Sequence, residues 1–162
     1  MTSFRLVSCF VFALFMLVSA QAIVLAKDVV KPSPAKSIPS EISTNGIVWQ
    51  KNLSQAKSLA RKSKLPLLID FSADWCGWCH KLDRDCFQNP TIQRQIKNKA
   101  VFLKMNIEAS NENKKTYDQT GATGLPLVMI YSLSADDKLH EKGRIESYLP
   151  PERFLARVTN YF

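Results

Sequence analysis

Cys76 and Cys79 are separated by two residues in the stretch Phe71-Ser72-Ala73-Asp74-Trp75-Cys76-Gly77-Trp78-Cys79-His80. Two thiols one helical turn apart can close a small disulfide ring, and the open pair can exchange with a disulfide elsewhere. The chemistry needs one thiol held as its nucleophilic thiolate. The preceding run Leu65-Pro66-Leu67-Leu68-Ile69-Asp70 has the length and apolar content of a strand buried on both faces. If a helix follows that strand, Cys76 falls at its N-terminus, where free backbone N–H groups and the helix dipole favour a negative charge. The pattern reads as a redox centre.

Three other chemistries use the same residues. Cys76 to His80 also spells the Cys-x-x-Cys-His attachment signature of c-type haem. That reading calls for a mostly helical surround, whereas the flanks here have strand character. A zinc site needs about four ligands, and Cys86, His80 and His140 are the remaining candidates, with no second Cys-x-x-Cys pair. A purely structural disulfide across so short a loop would remove little chain entropy. Redox exchange is the reading that uses both the spacing and the strand–helix setting.

The 162 residues, 46% of them hydrophobic, suffice for one domain with a substantial core. The net charge of +8 is spread along the chain, with a mild cluster at Lys57-Ser58-Leu59-Ala60-Arg61-Lys62-Ser63-Lys64. No aromatic interleaving or nucleic-acid motif accompanies it, so the cluster is expected to be the solvated face of a helix.

Met1-Thr2-Ser3-Phe4-Arg5 followed by an apolar core over residues 6–18 has the form of a signal peptide. Val18-Ser19-Ala20 and Val24-Leu25-Ala26 both fit the small-residue cleavage rule, and the second would leave Lys27 at the new N-terminus. The alternative is that residues 6–26 stay as an anchor, being about long enough to span a bilayer. Cys9 falls within this segment. Either way, residues 47–162 are expected outside the cytoplasm. Residues 27–46, with Pro32, Pro34 and Pro39 among Ser and Lys, lack core-forming content and read as a flexible linker.

Within 47–162 the elements can be placed from caps and periodicity. Asn52 is positioned to cap a helix, with Gln55 as its capping-box partner and Leu53, Ala56, Leu59 and Ala60 as the apolar stripe. Pro66 ends that helix. Beyond the cysteines, Cys79, Leu82 and Cys86 share one helix face. Cys86 then lies about 10 Å from Cys79 along the axis, too far for a disulfide, and reads as a small buried hydrophobe. Asn89-Pro90 opens a helical segment over residues 91–98, Val101–Met105 is a strand, and residues 113–119 form a polar helix. Leu127–Tyr131 is a buried strand, Ser134-Ala135-Asp136-Asp137 a turn, and Leu139–Ser147 its hairpin partner. Pro151 opens a last helix with Phe154, Leu155, Val158 and Phe162 on its apolar face. The order helix, strand, redox helix, strand, helix, strand, strand, helix predicts an α/β fold with a central mixed sheet flanked by helices.

These features together resemble the thioredoxin-fold family across residues 47–162. The matching residues are Asp70 six positions before Cys76, the run Ala73-Asp74-Trp75-Cys76 with Cys79, the tripeptide Gly124-Leu125-Pro126, and the terminal hairpin and helix. Within the family the chain is most similar to the C-terminal periplasmic domain of the DsbD-type thiol:disulfide interchange protein. That similarity lies in Phe87-Gln88-Asn89-Pro90, Lys104-Met105-Asn106-Ile107 and Gly124-Leu125-Pro126-Leu127. It departs in having Gly77-Trp78 between the cysteines and His80 where lysine is usual.

The resemblance implies a protein-disulfide oxidoreductase with no metal and no cofactor. Cys76, expected to be exposed, attacks, and Cys79 resolves. Asp70 is a partly buried carboxylate that moves the Cys79 proton, or else an aspartate satisfied by a nearby lysine. Trp75, Gly77, Trp78, Leu125 and a cis Pro126 form the substrate-binding surface. His80 either supports the Cys76 thiolate or faces solvent. Partners are expected to be protein thiols and disulfides of the cell envelope and a separate membrane-embedded electron donor, with no nucleic acid and a monomeric chain. The direction expected is reduction; an oxidant or isomerase of the same fold is the alternative. Strong oxidants of the DsbA type carry a large helical insertion for which residues 105–121 leave no room.

Overall fold

The computed structural model describes residues 46–162. The expected signal or anchor segment and nearly all of the expected linker lie outside the described residues. A five-stranded sheet runs in the order β1, β3, β2, β4, β5, where β1 is Trp49–Gln50, β2 Leu67–Ser72, β3 Val101–Asn106, β4 Leu127–Leu133 and β5 Leu139–Ile145. β1 and β2 run parallel to β3, and β4 runs antiparallel to both β2 and β5. The sheet is mixed, as the element order implied. β1 has two residues, too few for a periodic signal, and the sequence reading did not contain it.

Alternation along the central strands builds two cores. Leu67, Ile69 and Phe71 of β2 join Val101, Leu103 and Met105 of β3 on one face, covered by Ala56 and Ala60 of α1 (Leu53–Ser63) and Tyr117 of α4 (Asn111–Asp118). Leu68, Phe102, Val128 and Ile130 point to the opposite face. There they meet Leu82 of α2 (Gly77–Leu82), Ile92 and Ile96 of α3 (Pro90–Ile96), and Phe154 and Val158 of α5 (Pro151–Thr159). β2 is therefore buried on both sides, which its unbroken apolar run foreshadowed.

The caps explain why the helices start where they do. The Asn52 side chain accepts the Gln55 N–H at 3.1 Å, the Asn89 side chain accepts from Thr91 and Ile92, and the Ser110 side chain accepts from Asn113. Pro90 and Pro151 occupy first-turn positions, where a missing N–H costs nothing. Lys64 closes α1 in the left-handed conformation. Arg61, Lys62 and Lys64 are exposed, and Arg61 pairs with Asp137, so the basic cluster is a solvated helix face.

The redox helix is not one regular α-helix. After Leu82 it continues as a π-helical segment, Asp83–Phe87, closed by the Gln88 N–H to the Asp83 carbonyl at 2.8 Å. The wider turn lets the adjacent Cys86 and Phe87 both enter the core, while Asp83 and Asp85 reach polar partners. Cys86 is free and fully buried, its Sγ 3.5 Å from the Leu149 carbonyl, which is the small-hydrophobe role expected of it. Gly143 has a specific cause: a Cβ there would lie 2.2 Å from the Tyr161 ring.

Candidate redox site

β2 ends at Ser72, and the turn through Ala73-Asp74-Trp75 delivers Cys76 to the start of α2. Polar bonds fix that turn: Asn106 Nδ2 donates to Asp74 Oδ1 at 2.7 Å and the Asp74 N–H donates to Glu108 Oε2 at 3.1 Å. His80 Nε2 donates to the Asp74 carbonyl at 2.9 Å. Its exposed ring thus anchors the turn, a role that neither of its expected readings included.

Cys76 caps α2 and is bonded to Cys79 as a disulfide, with Cα atoms 5.3 Å apart. The Cys79 N–H donates to Cys76 Sγ at 3.1 Å. When the pair opens, that N–H and the helix dipole favour negative charge on Cys76, the residue at the helix start, over Cys79, one turn further along the chain. Exposure does not separate the two thiols. Cys76 is 4% exposed and Cys79 6%, so the expectation of an exposed Cys76 is corrected. Both pack against Ala73, Ile107 and Leu125, an apolar collar that shelters the closed disulfide.

The rim is apolar and open. Trp75 is 69% and Trp78 58% exposed, among the few large hydrophobic side chains left in solvent, while Gly77 is exposed with open space around the position of a Cβ. Leu125 touches the cysteine cluster, and the Leu125–Pro126 peptide bond is cis, with Pro126 buried. The Tyr117 hydroxyl holds the approach to that bond by donating to the Gly124 carbonyl at 3.1 Å.

Asp70 is 4% exposed and lies in register with Lys104 across β2 and β3. Lys104 Nζ is 3.6 Å from Asp70 Oδ2 but 2.5 Å from Asp83 Oδ1, and Gln88 holds the other Asp83 oxygen at 3.0 Å. Burial pushes the Asp70 carboxyl up to about 6; the Lys104 ammonium opposes this and the Asp83 charge adds to it. Burial wins because Lys104 is shared with Asp83. Among the described residues Asp70 has its ionic contact with Lys104 and no hydrogen bond to either cysteine. Asp70 thus has the nearby lysine that one reading called for, and burial holds its carboxyl up to about 6.

Lys104, Asp83 and Gln88 were not assigned roles from sequence. A lysine inside the apolar strand Val101–Asn106 was the available signal, since a charge in a buried strand needs a partner. In the π-helical segment, Asp85 accepts from Lys81 at 2.6 Å and from the Tyr148 hydroxyl at 2.8 Å, which holds its carboxyl below the ordinary range. The described residues contain no cluster of three or more His, Cys, Asp or Glu side chains placed to hold a metal ion. They also contain no helix long and apolar enough to cross a membrane.

A family model described as thioredoxin-like matches residues 48–132. The thiol:disulfide interchange protein DsbD of Salmonella typhi is 25% identical over 127 residues, which is 78% of this chain and 22% of that protein's length. Among solved structures, a thioredoxin from Thermus thermophilus superposes with a TM-score of 0.63 at 17% identity, covering 71% of this chain and 86% of that one. The oxidised C-terminal domain of Neisseria meningitidis DsbD superposes with a TM-score of 0.55 at 17% identity, covering 67% and 91%. The family model spans more than half of the chain and Cys76 and Cys79 stand in place, so the chain belongs to the thioredoxin-like family and is a thiol:disulfide oxidoreductase.

Proposed function

We propose that the chain works as a reductase or electron carrier for protein disulfides in the cell envelope. The observation that carries this reading is the Cys76–Cys79 disulfide at a helix N-terminus, with the Cys79 N–H on Cys76 Sγ. In the reduced form the Cys76 thiolate attacks one sulfur of a partner disulfide. The partner's S–S bond breaks, its other sulfur leaves as a thiolate and takes up a proton, and a mixed disulfide forms. Cys79 then loses its proton, with Asp70 as acceptor. Its thiolate attacks Cys76 Sγ, restoring the intramolecular disulfide and releasing the second partner thiol. Two electrons pass from this chain to the partner.

Trp75, Gly77, Trp78, Leu125 and Pro126 form the surface on which the partner's backbone and flanking side chains rest. The reducing direction is supported by similarity to DsbD and by the segment between β3 and β4, whose helix is the 8-residue α4. A reductase in an oxidising compartment needs its own supply of electrons, and a membrane-embedded donor is the partner class that fits a periplasmic or secreted domain.

The steady-state redox form in the producing cells tests the direction. After acid quenching and alkylation, the Cys76–Cys79 pair is expected to be mainly reduced, with the domain exported. A pair held fully oxidised in growing cells would point to the oxidant reading instead, and a cytoplasmic location would remove the envelope role.

A further inference from the structure

Trp78 lies between the two cysteines and is 58% exposed, yet its ring is braced. It stacks at a tilt of 38° on Tyr148, with ring centroids 5.3 Å apart. Tyr148 comes from the loop between β5 and α5, and it is pinned in turn. Its hydroxyl donates to Asp85 Oδ2 at 2.8 Å. Lys81 Nζ donates to the same oxygen at 2.6 Å and sits 4.9 Å from the centre of the Tyr148 ring. Lys81 and Asp85 belong to α2 and its π-helical continuation, the element that carries both cysteines. The brace therefore holds Trp78 in fixed register with the disulfide.

A solvent-exposed tryptophan with no neighbour would sample several rotamers and would have to be ordered each time a partner docked. Stacking on Tyr148 orders it in advance. A rigid indole wall favours a partner that can lay an apolar side chain against it. Oxidised glutathione, which is polar and heavily charged, gains little from such a wall.

We propose that Tyr148 is a positioning residue that sets Trp78 as the wall beside the disulfide, and so biases exchange toward polypeptide disulfides with an apolar side chain next to the cysteine, over small polar disulfides. The inference rests on the exchange at Cys76 proposed above.

The test compares steady-state reduction of two oxidants by the full chain and its variants, with dithiothreitol regenerating the Cys76–Cys79 dithiol and its direct reaction with each oxidant subtracted. One is a disulfide peptide with phenylalanine next to each cysteine, the other oxidised glutathione. Tyr148→Ala is expected to raise KM for the peptide roughly three- to tenfold, with kcat within about twofold. The peptide-to-glutathione ratio of kcat/KM falls by the same factor. Tyr148→Phe keeps the ring but loses Asp85, and it shifts the ratio the same way by a smaller factor. Because Tyr148 acts through Trp78, the double variant Trp78→Ala/Tyr148→Ala selects no worse than Trp78→Ala alone.

Equal losses on both oxidants, or additive losses in the double variant, overturn the proposal. Should Tyr148→Ala not fold, Tyr148→Phe decides, and an unchanged ratio overturns it. Failure of the brace alone leaves a wild-type chain that exchanges with both oxidants at the same ratio as its Tyr148 variants. A wild-type chain that exchanges with neither overturns the exchange reading together with this one.

Discussion

Replacing Cys76 with serine abolishes disulfide exchange, a fall in kcat/KM of at least roughly ten-thousand-fold, because among the described residues no other thiol has the helix N-terminus and the donated N–H that support a thiolate. Cys86 cannot substitute: it is fully buried, and burial pushes its thiol up to about 12. Cys79→Ser has a different outcome. The first attack still occurs, but the mixed disulfide through Cys76 has no resolving thiol and accumulates. Non-reducing electrophoresis against a peptide disulfide separates the two results. The asymmetry rests on the Cys79 N–H donated to Cys76 Sγ at 3.1 Å and on the helix N-terminus, since the two residues are almost equally sheltered. Mixed disulfides that form through Cys79 in the Cys76→Ser variant, and not through Cys76 in Cys79→Ser, would reverse the assignment.

Asp70→Asn is expected to stabilise the oxidised protein at pH 7 while slowing its turnover. The folded carboxyl is held up to about 6 by burial, against an ordinary value of 3.8. Between those two pH values the folded protein keeps a proton that the unfolded chain has released. The contribution of Asp70 to stability is therefore most favourable below about pH 4 and declines as pH rises toward and through 6. Above that, the buried charge costs up to about 3 kcal/mol. Asparagine removes the charge and leaves Lys104 paired with Asp83 at 2.5 Å, so no cation is orphaned. Urea unfolding at pH 7 should show a gain of about 1–3 kcal/mol, shrinking toward zero at pH 4.

The kinetic side of the same substitution depends on the proton role. If Asp70 accepts the Cys79 proton, resolution of the mixed disulfide slows on the order of a hundredfold, and its dependence on pH near 6 disappears. A variant that is stabilised but turns over like the wild type would make Asp70 a buried ion pair with no part in exchange.

The features that could be read from sequence share a physical trait: each is written in a few adjacent residues. Asn52 and Asn89 cap helices through side chains that reach two or three positions ahead. Pro90 and Pro151 mark first turns, and Leu67–Asp70 signals a doubly buried strand by its own composition. Cys76 and Cys79 fall in the same class, because one helical turn fixes their distance. What stayed hidden depends on packing between distant parts of the chain. Lys104 meets Asp83 across 21 residues, and Tyr148 reaches Asp85 across 63. The π-helical segment arises where Cys86, Phe87, Asp83 and Asp85 must satisfy an apolar core and two polar partners at once, which helical periodicity does not encode. The shelter of Cys76 likewise comes from Ile107 and Leu125, which the fold brings in from β3 and β4 flanks.

The central claim is that Cys76 and Cys79 form a reversible two-electron couple poised to reduce. Equilibrating the protein in glutathione buffers of graded ratio, then counting alkylated thiols by mass, measures it directly. Cys86 is free and buried, so among the described residues the reduced and oxidised proteins differ by the thiols of the Cys76–Cys79 pair. The account predicts one transition with a potential closer to thioredoxin, about −270 mV, than to DsbA, about −120 mV. A potential near that of DsbA would contradict the reducing direction, and the absence of any reversible transition would contradict the redox centre itself.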